Sequence, residues 1–245
     1  MSKAPFFFIH ISKNAGTSVE EFFKSEGLLL GRYDPFYSRH TVNWHTPPIA
    51  FSKELKRQFL KHIEGKTTFL IHRSPHDRVL SEMNCKWGNP KKEKIQSSKK
   101  KFNRYLTLYL IRVFLKRFNN ILHSIVVDLK LIERGGIGDH WTPQSHYLQF
   151  FKGINNQLTI IPFELLNEGV SELFENVTLL PLVNGQHSSF KFKTSDMSIV
   201  NKTIITFVYL DDLLNHRNMI KMNSAGINSK SSSWWYFSLN SKWAR

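Results

Sequence analysis

Apolar residues open the chain in a short run, Phe6, Phe7, Phe8, Ile9 and Ile11, which fits a strand buried in a parallel sheet. A small, polar stretch follows, Ser12-Lys13-Asn14-Ala15-Gly16-Thr17-Ser18. Val19, Phe22 and Phe23 then recur at helical spacing, with Glu20 and Glu21 expected in the first turn. Two more strands are expected at residues 67–72 (TTFLIH) and 158–163 (LTIIPF), from their β-branched and aromatic content. Helical patterns occupy residues 51–63, where Leu55, Phe59, Leu60 and Ile63 share a face and Gly65 ends the run. Others cover 79–84, 102–131, 164–174 and 196–215, the last around Ile204, Phe207, Val208 and Leu210. Residues 27–48, rich in Gly, Pro, Tyr and His, read as a loop entering a site. Gly135-Gly136-Ile137-Gly138 reads as a helix break, and 179–195 as loop.

Strands alternating with helices over this length argue for an α/β fold, a parallel sheet covered on both faces. Ligands in such folds sit beyond the carboxyl ends of the strands. The segments holding Lys13, Arg73 and Glu164 each follow a strand, so they are expected to meet at that edge.

The first strand–loop–helix junction has a chemistry of its own. A helix N-terminus presents unpaired N–H groups and about half a positive charge, which attracts phosphate. Gly16 lets the backbone bend close to a ligand. Lys13 adds a full charge, and Thr17 and Ser18 add hydroxyl donors. The result is an anion cradle, against the plain alternative of an ordinary strand-to-helix turn. A nucleoside-triphosphatase loop would read GxxxxGK[ST], with lysine directly before the hydroxyl residue. Here the lysine comes early and the hydroxyl pair directly follows Gly16.

Length and charge add to this. The 245 residues suit one domain, expected over 1–221 with a lysine-rich loop at 86–104, followed by a Ser/Asn-rich and aromatic tail at 222–245. Lys and Arg number 34 against 19 acids, a net charge of +15, which favours polyanions: nucleic acid, anionic lipid, acidic glycan or a nucleotide cofactor. The block at 86–104 reads as a solvated, mobile loop, or as one covering a glycan or nucleotide. The single cysteine, Cys85, excludes an internal disulfide framework and favours a reducing compartment. Met1-Ser2-Lys3-Ala4-Pro5 is too short and polar for a signal peptide, so a cytoplasmic location is expected. The apolar stretch 105–131 is broken by Arg112, Lys116, Arg117 and Asp128, which argues against a membrane span. No HExxH, clustered carboxylates or second cysteine suggests a metal site.

The order K-x-x-G-T-S resembles the 5′-phosphosulfate loop of sulfotransferases, which use 3′-phosphoadenosine 5′-phosphosulfate (PAPS). The exit of the second strand, FLIHRSPHDRVLSEMN, is similar to that family's R-x-P-x-x-R-x-x-S pattern, here Arg73, Pro75, Arg78 and Ser81. Asp139-His140-Trp141-Thr142-Pro143-Gln144 resembles the DHWxPQ segment of carbohydrate sulfotransferases. Ile161-Pro162-Phe163-Glu164-Leu165-Leu166 is similar to the YEDL segment, with Phe for Tyr and Leu for Asp, departures that favour a structural role for Glu164. The likeness spans about residues 5–215 and is greatest to heparan-sulfate 2-O-type enzymes, although a membrane anchor like theirs is not seen here.

The resemblance implies a P-loop-like three-layer sandwich, a central parallel sheet flanked by helices. It implies a nucleotide-binding transferase that performs carbohydrate sulfation, with PAPS as donor and 3′,5′-adenosine bisphosphate (PAP) as product. Lys13, Asn14, Ala15, Gly16, Thr17 and Ser18 would hold the 5′-phosphate, and Arg73 with Ser81 the 3′-phosphate. A fork-shaped guanidinium suits that second phosphate. Arg78 would join it or pair with Asp77 or Glu82. Lys13 would stabilise the leaving group, and a histidine would take the acceptor's proton. His45, in the Pro-stiffened Trp44-His45-Thr46-Pro47-Pro48, is favoured as base over His40; the plain alternative for either is a surface or structural histidine. His140 would contact the acceptor, orient the base or pack on Trp141. His10 interrupts a buried strand and needs a hydrogen-bond partner. The acceptor is expected to be an acidic or neutral glycan, with no nucleic acid and no divalent ion required. A P-loop kinase and a basic polyanion-binding module without catalysis are the rival classes.

Overall fold

The computed structural model describes residues 6–84, 98–118, 141–152, 154, 158–174 and 192–226. The chain divides into two compact units, one of Met1–Arg73, Thr142–Gly185 and Leu214–Arg245, the other of Ser74–Trp141 and Gln186–Leu213.

The first unit is α/β. Its strands β1 (Phe6–Ile9), β2 (Thr67–His72) and β3 (Leu158–Pro162) form a parallel sheet in the order β1-β2-β3. Phe8 pairs with Phe69 and Leu70 with Ile160. Successive side chains in a strand point to opposite faces, and both faces here are apolar. One face carries Phe7, Ile9, Leu70, Leu158 and Ile160. It is covered by α2 (Pro35–Arg39), α3 (Lys53–Ile63) and α6 (Gln144–Phe150), through Phe36, Tyr37, Phe59, Ile63, Tyr147 and Phe150. The other carries Phe8, Phe69, Ile71 and Ile161 beneath α1 (Gly16–Ser25) and α7 (Leu166–Leu173), through Val19, Phe23, Leu166 and Val170. Helices on both faces of a parallel sheet are compatible with a sandwich. Each buried Phe or Ile contributes about 1.5–3 kcal/mol by leaving water.

The second unit is helical among the described residues. It holds α4 (Pro75–Met83), α5 (Lys99–Phe118), α8 (Ile199–Val208) and the start of α9 (Leu210–Gly226). Phe102, Leu106, Leu110 and Val113 make the buried stripe of α5, facing Val79, Met83, Ile205 and Val208. Asn201, fully buried, fixes α8 on α5: its Nδ2 donates to Asn103 Oδ1 at 2.9 Å, and its Oδ1 accepts from Thr107 Oγ1 at 2.8 Å.

Several boundaries differ from expectation. The helix expected over 102–131 begins at Lys99, so Lys99, Lys100, Lys101 and Arg104 form exposed helical turns rather than loop. Residues 119–140, Cys85 and most of the rest of the lysine-rich block, 86–97, lie outside the described residues. The pattern at 196–215 is two helices, broken at Tyr209 (φ −119°, ψ 34°), and α9 passes residue 221, placing the expected tail boundary inside a helix. Within 27–48, Asp34 caps α2 by accepting from Phe36 N–H at 2.8 Å, with Pro35 at the first helical position. No described helix is long and apolar enough to cross a membrane.

Candidate functional site

Between β1 and α1 the backbone takes an unusual path. Lys13 (φ 67°) and Ala15 (φ 62°) are left-handed, while Asn14 between them is not. Such conformations cost roughly 1–3 kcal/mol each in a residue with a Cβ. Left-handed residues alternating with ordinary ones can turn N–H groups to one side as an anion-binding concavity; in this loop the Asn14 N–H is donated back to the Ile11 carbonyl at 3.3 Å, which leaves the start of α1 to supply the donors. Ala15 is also the N-cap of α1, and no side chain caps that helix. Side chains of Asp34, Ser52 and Ser198 cap α2, α3 and α8, whereas α4, α6 and α7 share with α1 the lack of a side-chain cap. The first-turn donors of α1, at Gly16, Thr17 and Ser18, thus lack the capping oxygen that α2, α3 and α8 have.

The loop is braced from beneath. Asn14, buried, turns its amide inward: Nδ2 donates to the carbonyl oxygen of Ile71 at 2.7 Å and to Gln144 Oε1 at 2.5 Å. Gln144 Oε1 also accepts from Arg73 N–H at 3.0 Å, and its Nε2 donates to the Arg73 carbonyl at 2.7 Å. One glutamine therefore pairs with both backbone groups of Arg73 and with the loop. The Arg73 Nη1 donates to the Lys13 carbonyl at 3.1 Å, and its guanidinium lies 4.0 Å from the centre of the Phe163 ring. The exits of β1, β2 and β3 meet at this edge, as the alternation of strands and helices led us to expect.

Beside the loop lies a buried acid–imidazole pair. His10 Nδ1 is 2.6 Å from Glu20 Oε1, and both residues are at most 4% exposed. Glu20 is not in the first turn of α1; it lies one turn further on, facing inward. Its Oε1 also accepts from Arg32 N–H at 2.7 Å. Gly31 (φ +57°) lies so close that a Cβ there would come within 2.0 Å of that oxygen. Gly16 lies over the His10 ring: a Cβ would sit 2.4 Å from Nε2, 2.5 Å from Cδ2 and 2.7 Å from Cε1. The ring of His45 meets that of His10 edge to face, centroids 4.6 Å apart at 86°. His45 is fixed through its backbone as well, its N–H donating to Asn43 Oδ1 at 2.8 Å and its carbonyl accepting from Tyr147 Oη.

The structure thus gathers Lys13–Ser18, Arg73 and His45 in one unit. His40 ends α2 with its ring on Phe36, at a centroid distance of 4.6 Å. Ser81 lies on α4 in the second unit, half-buried. Buried Arg78 lines a small pocket there with Pro75, Val79, Glu82, Trp141 and Tyr209, while Asp77 accepts from Thr194 Oγ1 at 2.8 Å. His140, Asp139 and Cys85 lie outside the described residues. Glu164 Oε1 is 3.3 Å from His216 Nε2, and His216 Nδ1 is 3.4 Å from Nδ1 of buried His72. Partial burial raises the Glu164 carboxyl, but the His216 bond, a backbone N–H and the charges of His216 and Arg73 hold it below its usual value.

Sequence reasoning missed the bracing role of Gln144 and the inward turn of Glu20. The signal for Gln144 was the DHWxPQ likeness. For Glu20 it was the helical period, which puts residue 20 on the stripe of Gly16, Val19 and Phe23. Among the described residues no group of three His, Cys, Asp or Glu could hold a metal ion. Compared with known proteins, the chain matches no family model, no curated protein and no solved structure.

Proposed function

We propose that this protein is a PAPS-dependent O-sulfotransferase acting on a carbohydrate hydroxyl. The observation that carries the reading is the uncapped start of α1 behind two left-handed residues, with the Arg73 guanidinium anchored on the same loop. Strain of that kind persists where surrounding contacts enforce it, and it clusters at ligand clamps. The donor set is wholly cationic or N–H and O–H, which fits a phosphate-bearing group and leaves little for a neutral one.

Lys13, the N–H groups of residues 15–18 and the hydroxyls of Thr17 and Ser18 would hold the 5′-phosphate end. Arg73 and Ser81 are assigned to the 3′-phosphate from the family likeness. PAPS, when bound, supplies an activated sulfuryl group on a phosphate leaving group. Lys13 would supply a cation to stabilise the negative charge that grows on that phosphate. His45 takes the acceptor's hydroxyl proton on a ring nitrogen, a task suited to imidazole near neutral pH. The net charge of +15 would draw an acidic glycan toward the site.

Incubation with 35S-labelled PAPS and a panel of acidic and neutral glycans tests this. Acceptor-dependent label transfer, lost in Lys13→Ala, is expected. Magnesium-stimulated transfer from ATP instead would replace the reading with a kinase, and salt-sensitive glycan binding without any transfer would leave a binding module.

A further inference from the structure

The buried Glu20–His10 pair has no part in the chemistry above, yet it lies between the anion loop and the candidate base. We propose that it is a positioning device: Glu20 fixes the His10 ring, and that ring sets the orientation of His45 relative to the loop. This rests on the sulfotransferase reading, with His45 as its base.

Three contacts support the assignment. The His10 ring cannot turn freely, because Nδ1 is bonded to Glu20 Oε1 at 2.6 Å while Gly16 covers its face. Its remaining surface meets His45 at 86°, an arrangement that aromatic rings favour for its electrostatics. Glu20 is itself held, by Arg32 N–H at 2.7 Å on Oε1 and by Arg32 Nε 3.4 Å from Oε2. The contacts run from Arg32 through Glu20 and His10 to the His45 ring, while Asn43 and Tyr147 hold the His45 backbone and leave the ring's orientation to its neighbours.

Burial energetics point the same way. A carboxylate and an imidazole taken wholly out of water lose hydration that their mutual attraction barely repays, and apolar residues of equal volume would often stabilise the fold as well. Stability alone therefore gives little reason for a pair at this place. Orientation gives one, because a displacement of about 1 Å at a reacting group can lower a rate about 100-fold.

The test uses the full chain as wild type, Glu20→Gln, Glu20→Leu and His10→Phe. Gln keeps an Oε1 that accepts from both His10 and Arg32 N–H, whereas Leu keeps only volume. Kinetics give kcat with saturating PAPS and acceptor, and calorimetry gives the PAP Kd. The His45 imidazole resonance, assigned against His45→Ala, reports ring order independently of turnover. Positioning predicts that Glu20→Leu and His10→Phe lose kcat by about 10–100-fold with PAP binding unchanged, and that their His45 resonance broadens or splits. Glu20→Gln should keep a sharp His45 line and near-normal kcat. The proposal is overturned if folded Glu20→Leu or His10→Phe keeps full kcat, or if Glu20→Gln loses as much as Glu20→Leu. It is equally overturned if both Glu20→Leu and His10→Phe fail to fold, since the pair would then hold the fold rather than His45. Failure of wild type to bind PAP at all would instead remove the sulfotransferase reading beneath it.

Discussion

Arg73 donates from Nη1 to the carbonyl oxygen of Lys13 at 3.1 Å, so the residue assigned to one phosphate also shapes the loop assigned to the other. On the proposed assignment the two phosphate sites would be coupled through a single guanidinium, which makes Arg73→Lys a non-conservative change. The guanidinium carbon lies 4.0 Å from the centre of the Phe163 ring. A cation over an aromatic ring at this distance gains about 0.5–2 kcal/mol.

Phe163→Ala is accordingly expected to weaken PAP binding by roughly tenfold, while Phe163→Tyr keeps it. Isothermal calorimetry reads both. Equal affinity in the Ala variant would mean that the ring does not orient Arg73.

Gln144→Ala removes the bridge between Asn14 and both backbone groups of Arg73. Asn14 Nδ2 would keep its bond to the Ile71 carbonyl, but the half-buried N–H and carbonyl of Arg73 would lose their Gln144 partner, which should lower stability by about 1–2 kcal/mol in urea denaturation, with a loss of PAP affinity besides. A variant as stable as wild type would show that the bridge is dispensable.

Glu164 gives a pH signature. Its carboxyl is held below its usual value of 4.5 in the fold, the pull of His216, a backbone N–H and Arg73 outweighing burial. The stabilisation is thus present above the unfolded value and fades as pH falls through the lowered folded one. Wild type should exceed Glu164→Gln in thermal midpoint at pH 6, and the gap should close below about pH 4. A gap that does not vary with pH would contradict the assignment.

Between the two candidate bases, the structure sets His45 against His10 and His40 against Phe36. His45→Ala should retain PAP binding and lose transfer, and His40→Ala should retain both. Activity in the first variant and inactivity in the second would reverse the assignment.

The parallel sheet was legible because β1 is an apolar run and β2 and β3 are rich in β-branched and aromatic residues, a pattern that suits strands buried on both faces. The expected meeting of the segments holding Lys13, Arg73 and Glu164 rested on parallel strands ending at one edge, where Arg73 reaches the Lys13 carbonyl and the Phe163 ring beside Glu164. What escaped was the identity of partners. Nothing in the local sequence says that Gln144 bonds Asn14 across 130 positions, because that contact exists only once β2 and α6 are packed. Glu20 looked like a helix-dipole acid, since adjacent Glu20 and Glu21 gave no sign that one faces in and one out. The short helix α2 was hidden by the turn-like composition around it, though Asp34-Pro35 is a capping signal. The break between α8 and α9 was lost because apolar spacing continues across Tyr209.

The central claim is that the loop from Lys13 to Ser18 receives a phosphate of PAPS. Calorimetric titration of PAP beside ATP, on wild type and Arg73→Ala at low salt, tests it most directly. The account predicts that PAP binds more tightly than ATP and that this preference disappears in Arg73→Ala. Absence of PAP binding, or ATP binding as tight as PAP and indifferent to Arg73, would contradict it.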